Sequence, residues 1–144
     1  MSERPRRILV VTDQAEPSAE LEDAIRRRAG SEDVQFRLVV LNPARAELHL
    51  LHPERHDKAR EAEEVLRRAL PHLQAAAGAP VIGSVSVRHD PMDAIEETLF
   101  SEPIDEIVLS VPARHLVTAL HQDLQHRLEH HHLPVTVVRP AGAR

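Results

Sequence analysis

The chain of 144 residues predicts an α/β fold, a single open parallel sheet of five strands with helices on both faces. Three observations predict it. Short aliphatic runs such as Ile8-Leu9-Val10-Val11 and Leu38-Val39-Val40-Leu41 lack polar alternation, as strands covered on both faces do. Those runs alternate with stretches of helical periodicity from one end of the chain to the other. Between residues 87 and 109, VRHDPMDAIEETLFSEPIDEIVL, an acid-proline start, an amphipathic helix and a buried strand follow one another without slack. That order of elements gives a parallel sheet with right-handed crossovers.

In chain order, strands are expected at 7–12, 34–42, 81–88, 104–110 and 135–139, with helices at 17–29, 57–77, 91–101 and 113–131. The second helix places Ala62, Val65, Leu66, Ala69, Leu70, Leu73 and Ala76 on one broad stripe. Glu63–Arg67 and Glu64–Arg68 stand at the helix-supporting i,i+4 spacing on its other side. Val81-Ile82-Gly83-Ser84-Val85-Ser86-Val87 alternates in part, as an edge strand does. Asp90 is suited to N-cap the third helix, with Pro91 at its first position and Asp93 where the dipole favours negative charge. Its apolar face is Met92, Ile95 and Leu99. The fourth helix carries Val117, Leu120, Leu124 and Leu128 on one face, and Pro112 suits its first turn. Residues 43–56 read least clearly: they hold His49, His52 and His56, and Pro53 interrupts any helix begun at Arg45. An ordinary surface connection is the simpler reading there, a lid or partner surface the other.

Composition fits one domain over residues 1–144, long enough to bury a core without staples. There is no cysteine, which excludes disulfides and thiolate metal sites. The basic start is followed by an apolar run too short for a secretory segment, and nothing approaches a membrane span, so a cytoplasmic location is expected. A formal net charge of −5, with Phe36 and Phe100 as the aromatics, argues against a nucleic-acid binder. The cations are arginines apart from Lys58 and are interleaved with acids, which reads as a solvated surface.

His89-Asp90-Pro91-Met92-Asp93-Ala94-Ile95 and Asp105-Glu106-Ile107-Val108-Leu109-Ser110 resemble the G-D-P-x-x-A-I helix and D-x-I-V-x-G strand of universal stress proteins. Arg7-Ile8-Leu9-Val10-Val11-Thr12-Asp13 is similar to that family's opening strand. Leu133-Pro134-Val135-Thr136-Val137-Val138-Arg139 is similar to its closing strand, with Leu for Cys. The resemblance runs nearly end to end and implies strand order 3-2-1-4-5, a Rossmann-like sheet of the adenine nucleotide alpha hydrolase type. It also implies a phosphate loop after the fourth strand, G-x2-G-x9-G-[S/T], in members that hold ATP. Here Ser110 and Ala113 stand at the first two glycines, the third falls near His121 or Asp123, and no glycine lies between Gly83 and Gly142. Glycine lets such a loop take φ > 0 and approach a phosphate closely, so the expected cofactor is none, with ATP or AMP bound weakly at best.

In an open parallel sheet, ligands bind outside the carboxyl ends of the strands where the order reverses, here between the first and fourth. That position assembles Thr12, Asp13, Val40, Ser110, Val111, Ala113 and Arg114 as the candidate cleft. A helix N-terminus beside Arg114 favours an anion. Asp13 has two readings: adenosine recognition, by resemblance, or a loop acid that caps the following turn. A phosphoacceptor receiver domain would need a second acid where Gln14 stands and a lysine where Arg139 stands, and lacks both.

Histidine is the compositional anomaly, at eleven residues. His126-Arg127-Leu128-Glu129-His130 matches H-x-x-E-H, in which two histidines one turn apart can hold zinc and the glutamate can act as base. At about 100° per residue, however, His126 and His130 fall opposite the Val117, Leu120, Leu124, Leu128 stripe, on the solvent side. No third ligand or walled cavity is evident, so no metal is expected.

No nucleophile motif or Walker loop appears. The first expectation is a regulatory or interaction module, dimeric and not catalytic. Its dimer forms through Val135, Val137 and Val138 of the last strand, an uncapped aliphatic edge by resemblance. Alternatives are a receptor for a nucleotide or small anion and, third, a hydrolase acting through Asp13.

Overall fold

A computed structural model describes residues 5–31, 33–41, 55–86, 91–110 and 133–138. The strands are β1 (Arg6–Thr12), β2 (Val34–Val40), β3 (Ile82–Val85), β4 (Glu106–Ser110) and β5 (Val135–Val137). The helices are α1 (Ala19–Ser31), α2 (Arg55–Ala77) and α3 (Pro91–Ser101). The strands form one sheet in the order β3-β2-β1-β4-β5, every neighbouring pair parallel. Both the fold class and the strand order therefore stand as expected, with β3 and β5 at the edges.

Alternation along the central strands sorts the core into two layers. Ile8, Val10, Phe36, Leu38, Val40 and Val108 face one side, where Leu21, Ala24 and Ile25 of α1 and Ala62, Leu73 and Ala76 of α2 close over them. Leu9, Val11, Val39, Ile107 and Leu109 face the other, covered by Ala94 and Ile95 of α3. Leu99, Leu133, Val135 and Val137 pack against that second layer. The stripe expected on α2 is the face it buries: Ala62, Ala69, Leu73 and Ala76 are buried and Val65, Leu66 and Leu70 are half-buried.

Several boundaries move by a residue or two. Ser18, not Pro17, starts α1: its Oγ accepts from Leu21 N at 3.1 Å and its carbonyl accepts from Glu22 N at 3.0 Å, an N-cap with Glu20 and Glu22 in the first turn. The edge strands β3 and β5 are shorter than their aliphatic runs. Pro71 lies inside α2, which continues through it to Ala77. There Gly78, at φ 70°, ends the helix and donates to Gln74 O at 2.8 Å, an αL cap. Gly83 lets α2 approach the edge strand closely, since a Cβ on it would stand 2.6 Å from Leu66 Cδ1.

The charged pairs differ from those expected on helix spacing. Arg67 pairs with Glu64 at i,i+3, and Arg68 instead reaches Glu16 at 2.8 Å, tying the loop after β1 to α2. The hydrogen bond from Arg67 holds the exposed Glu64 carboxyl below its ordinary range and raises the guanidinium. The solvated-surface reading of the arginines fails at Glu106, a buried acid at the start of β4. Arg28 Nε and Nη2 donate to Glu106 Oε2 at 2.9 and 2.7 Å, and Arg6 Nη2 donates to Oε1 at 3.3 Å. Among the described residues, no helix is long and apolar enough to cross a membrane.

Candidate functional site

The register of the central strands brings three of the candidate cleft residues side by side. Thr12, the last residue of β1, is paired with Val40 of β2 on one side and Ser110 of β4 on the other. Beyond them the chain is still held to the sheet: Leu41 N donates to Thr12 O at 2.9 Å and Ser86 N to Val40 O at 2.9 Å. Thr12 and Ser110 lie on the α1 side of the sheet, two residues after Val10 and Val108 respectively, which belong to that core layer. Asp13 follows directly and is half-buried.

The two hydroxyls are placed differently. Thr12 Oγ1 accepts from Gln14 N at 3.2 Å, which turns the chain away from the sheet, and the residue is fully buried. Ser110 is 1% exposed and, among the described residues, its Oγ has no hydrogen-bond partner. Buried hydroxyls are normally satisfied, because an orphan one forfeits its water without compensation. An unpaired polar atom at the carboxyl end of a central strand is therefore a feature that a ligand or an ordered water would complete.

Val111, Ala113 and Arg114, the remaining cleft candidates, lie outside the described residues, as do His121 and Asp123. So do His126, Glu129 and His130, and most of segment 43–56. Among the described residues, no three histidines, carboxylates or cysteines gather to hold a metal. A recess lined by Glu20, Asp23, Arg26 and Arg27 on α1 shares no residue with the cleft, and Arg26 is tied to Asp23 at 2.8 Å.

Sequence reasoning passed over Ser86, buried directly after β3 beside the end of β2. It also passed over a polar cluster at the opposite end of the sheet, made of Arg6, Arg28, Glu106 and Thr136. There Arg28 Nη2 reaches Thr136 Oγ1 at 3.3 Å, and its Nη1 reaches Ala24 O of its own helix at 3.0 Å. The available signal was a single acid opening an otherwise aliphatic strand, Glu106 before Ile107-Val108-Leu109.

The chain matches no protein-family model and no curated protein. Solved structures do match it. A universal stress protein from Archaeoglobus fulgidus superposes with a TM-score of 0.62 at 19% identity, covering 93% of this chain and 94% of that one. The universal stress protein from Archaeoglobus fulgidus in complex with dAMP gives a TM-score of 0.63 at 20% identity, over 92% of this chain and 97% of the other. With its strand order, two core layers and near-complete overlap, the chain has the fold of the universal stress proteins.

Proposed function

We propose that the chain is a divergent universal-stress-protein-like domain that works as a dimeric regulatory or interaction module and is not an enzyme. The carrying observation is the state of β5. Among the described residues it is bonded to β4 alone, and it is three residues long. Ile107 N donates to Pro134 O at 2.9 Å and Val138 N to Leu109 O at 2.8 Å, so residues 134, 136 and 138 address β4. By the alternation of a parallel ladder, the backbone groups of Val135 and Val137 then point off the sheet, where a second copy can complete them. Val137→Pro removes one outward N–H while leaving the bonds to β4, and residues before proline favour extended backbone. Sedimentation should show the wild type as dimer and Val137→Pro as monomer; a dimer in both would place the interface elsewhere.

A second reading is favoured by Ser110 and by the neighbour in complex with dAMP. In it the cleft at Thr12, Asp13, Val40 and Ser110 receives a small adenine nucleotide, weakly. Val111, Ala113 and Arg114, which follow Ser110 in the sequence, are the further candidates for that cleft. A serine where ATP-holding relatives of the resembled family carry glycine argues against close wrapping of a triphosphate. Calorimetry with AMP, dAMP and ATP tests this. Binding of the monophosphates in preference to ATP supports it, and tight ATP binding refutes it.

A further inference from the structure

We propose that Arg28 is a clamp that holds β5 on the sheet as its pairing edge, a role that rests on the dimer reading above. On the α3 side, β5 is held by apolar contacts, since Leu133, Val135 and Val137 pack against the layer of Leu9, Val11, Ile107 and Leu109. On the α1 side it presents Thr136, opposite Val108 in the register. A three-residue strand with one neighbour has few ladder bonds, and short edges of this kind open readily.

Arg28 supplies a tie on that side. It sits in the last turn of α1, and its Nη1 bonds Ala24 O one turn back at 3.0 Å, which fixes the root of the guanidinium. Nε and Nη2 then grip Glu106 Oε2 over β4, and Nη2 continues to Thr136 Oγ1 on β5. One planar group thus joins α1, β4 and β5, using donors whose fork geometry suits a carboxylate and a flanking hydroxyl. Glu106 is what keeps the guanidinium in reach of β5: its side chain is 10% exposed and that of Arg28 20%, so water screens the pair little. The neighbouring Arg6, which meets the other carboxylate oxygen, leaves Oε2 to Arg28.

Thr136→Val removes the hydroxyl while keeping the β-branched shape, and Thr136→Ser keeps the hydroxyl. Hydrogen exchange reads the clamp through the Val138 and Ile107 amides, which bond across the β4–β5 seam, with the Leu41 amide, bonded to Thr12, as an internal control. Thr136→Val should raise exchange at Val138 and Ile107 about tenfold with Leu41 unchanged, and Thr136→Ser should restore protection. The dimer dissociation constant of Thr136→Val should rise by about tenfold in sedimentation. Unchanged exchange in Thr136→Val would overturn the clamp. Wild-type protein that sediments as monomer, with exchange still accelerated in Thr136→Val, would overturn the dimer reading and the pairing role together and leave the hold on β5 standing.

Discussion

Arg28 and Glu106, 78 positions apart, meet at 2.7 Å where the end of α1 crosses the start of β4. The contact fixes the helix to a strand that is not its neighbour in sequence.

Removing one partner of such a pair should cost more than the pair contributes. With Glu106→Ala, the Arg28 guanidinium stays largely desolvated and keeps only Ala24 O and Thr136 Oγ1, and a loss of about 2–4 kcal/mol is expected, reduced from a fully buried case by the partial exposure. Arg28→Met combined with Glu106→Leu replaces the pair by apolar volume, and stability should return to within about 1 kcal/mol of wild type. Urea unfolding measures both. A double variant no better than Glu106→Ala would mean that the ionic contact itself carries the stability.

How much of this was legible in the sequence follows from the range of each interaction. Ile8 to Val11 and Leu38 to Leu41 announce central strands because burial on both faces leaves no polar position, and the α2 stripe follows from its period alone. The end of β1 beside the end of β4 followed from the strand order, and with it the placement of Thr12 by Ser110. What escaped was pairing that depends on chain crossings. Arg28 and Glu106 look like two members of an interleaved surface until strand order puts them together. Arg68 likewise leaves the i,i+4 partner its helix offers for Glu16, because the loop after β1 lies across the helix. That the Ser110 hydroxyl has no partner among the described residues is invisible in sequence, since satisfaction depends on every neighbouring atom.

Two glycines should respond oppositely to alanine. Gly78 holds φ at 70° to close α2, so Gly78→Ala should destabilise by about 1 kcal/mol and Gly78→Asn by less. Gly30 lies in α1 with open space around an added Cβ and no positive φ, so Gly30→Ala should stabilise by about 0.5–1 kcal/mol. Thermal or urea unfolding of the two variants decides it, and a destabilised Gly30→Ala would show that α1 frays before that position.

The two hydroxyls at the ends of β1 and β4 make a second contrast. Ser110 Oγ is buried without a partner among the described residues, so Ser110→Ala should leave the ligand-free protein equally stable or raise stability by up to about 1 kcal/mol. Thr12 Oγ1 accepts from Gln14 N, and Thr12→Val should cost about 1–2 kcal/mol because it orphans that amide. A clear loss in Ser110→Ala would reveal a bound water or ligand that the hydroxyl already serves.

Finally, purified protein should carry no ATP. Ser110 puts a buried side chain at the end of β4, and a residue with a Cβ does not readily take the φ > 0 conformations that bring backbone N–H groups onto a phosphate. The proposed adenosine contacts at Asp13 and the Val40 backbone would be unaffected by that loss, so AMP or dAMP should bind at least as well as ATP. Because the chain has no Trp and no Tyr, absorbance at 260 nm reports bound nucleotide almost without background. Denatured, filtered protein should release no stoichiometric nucleotide, and Ser110→Gly alone should not create ATP binding, since Ala113 also stands where the resembled motif has glycine. Micromolar ATP affinity in the wild type, about −8 kcal/mol by calorimetry, would mean that the residues after Ser110 hold the triphosphate by another route.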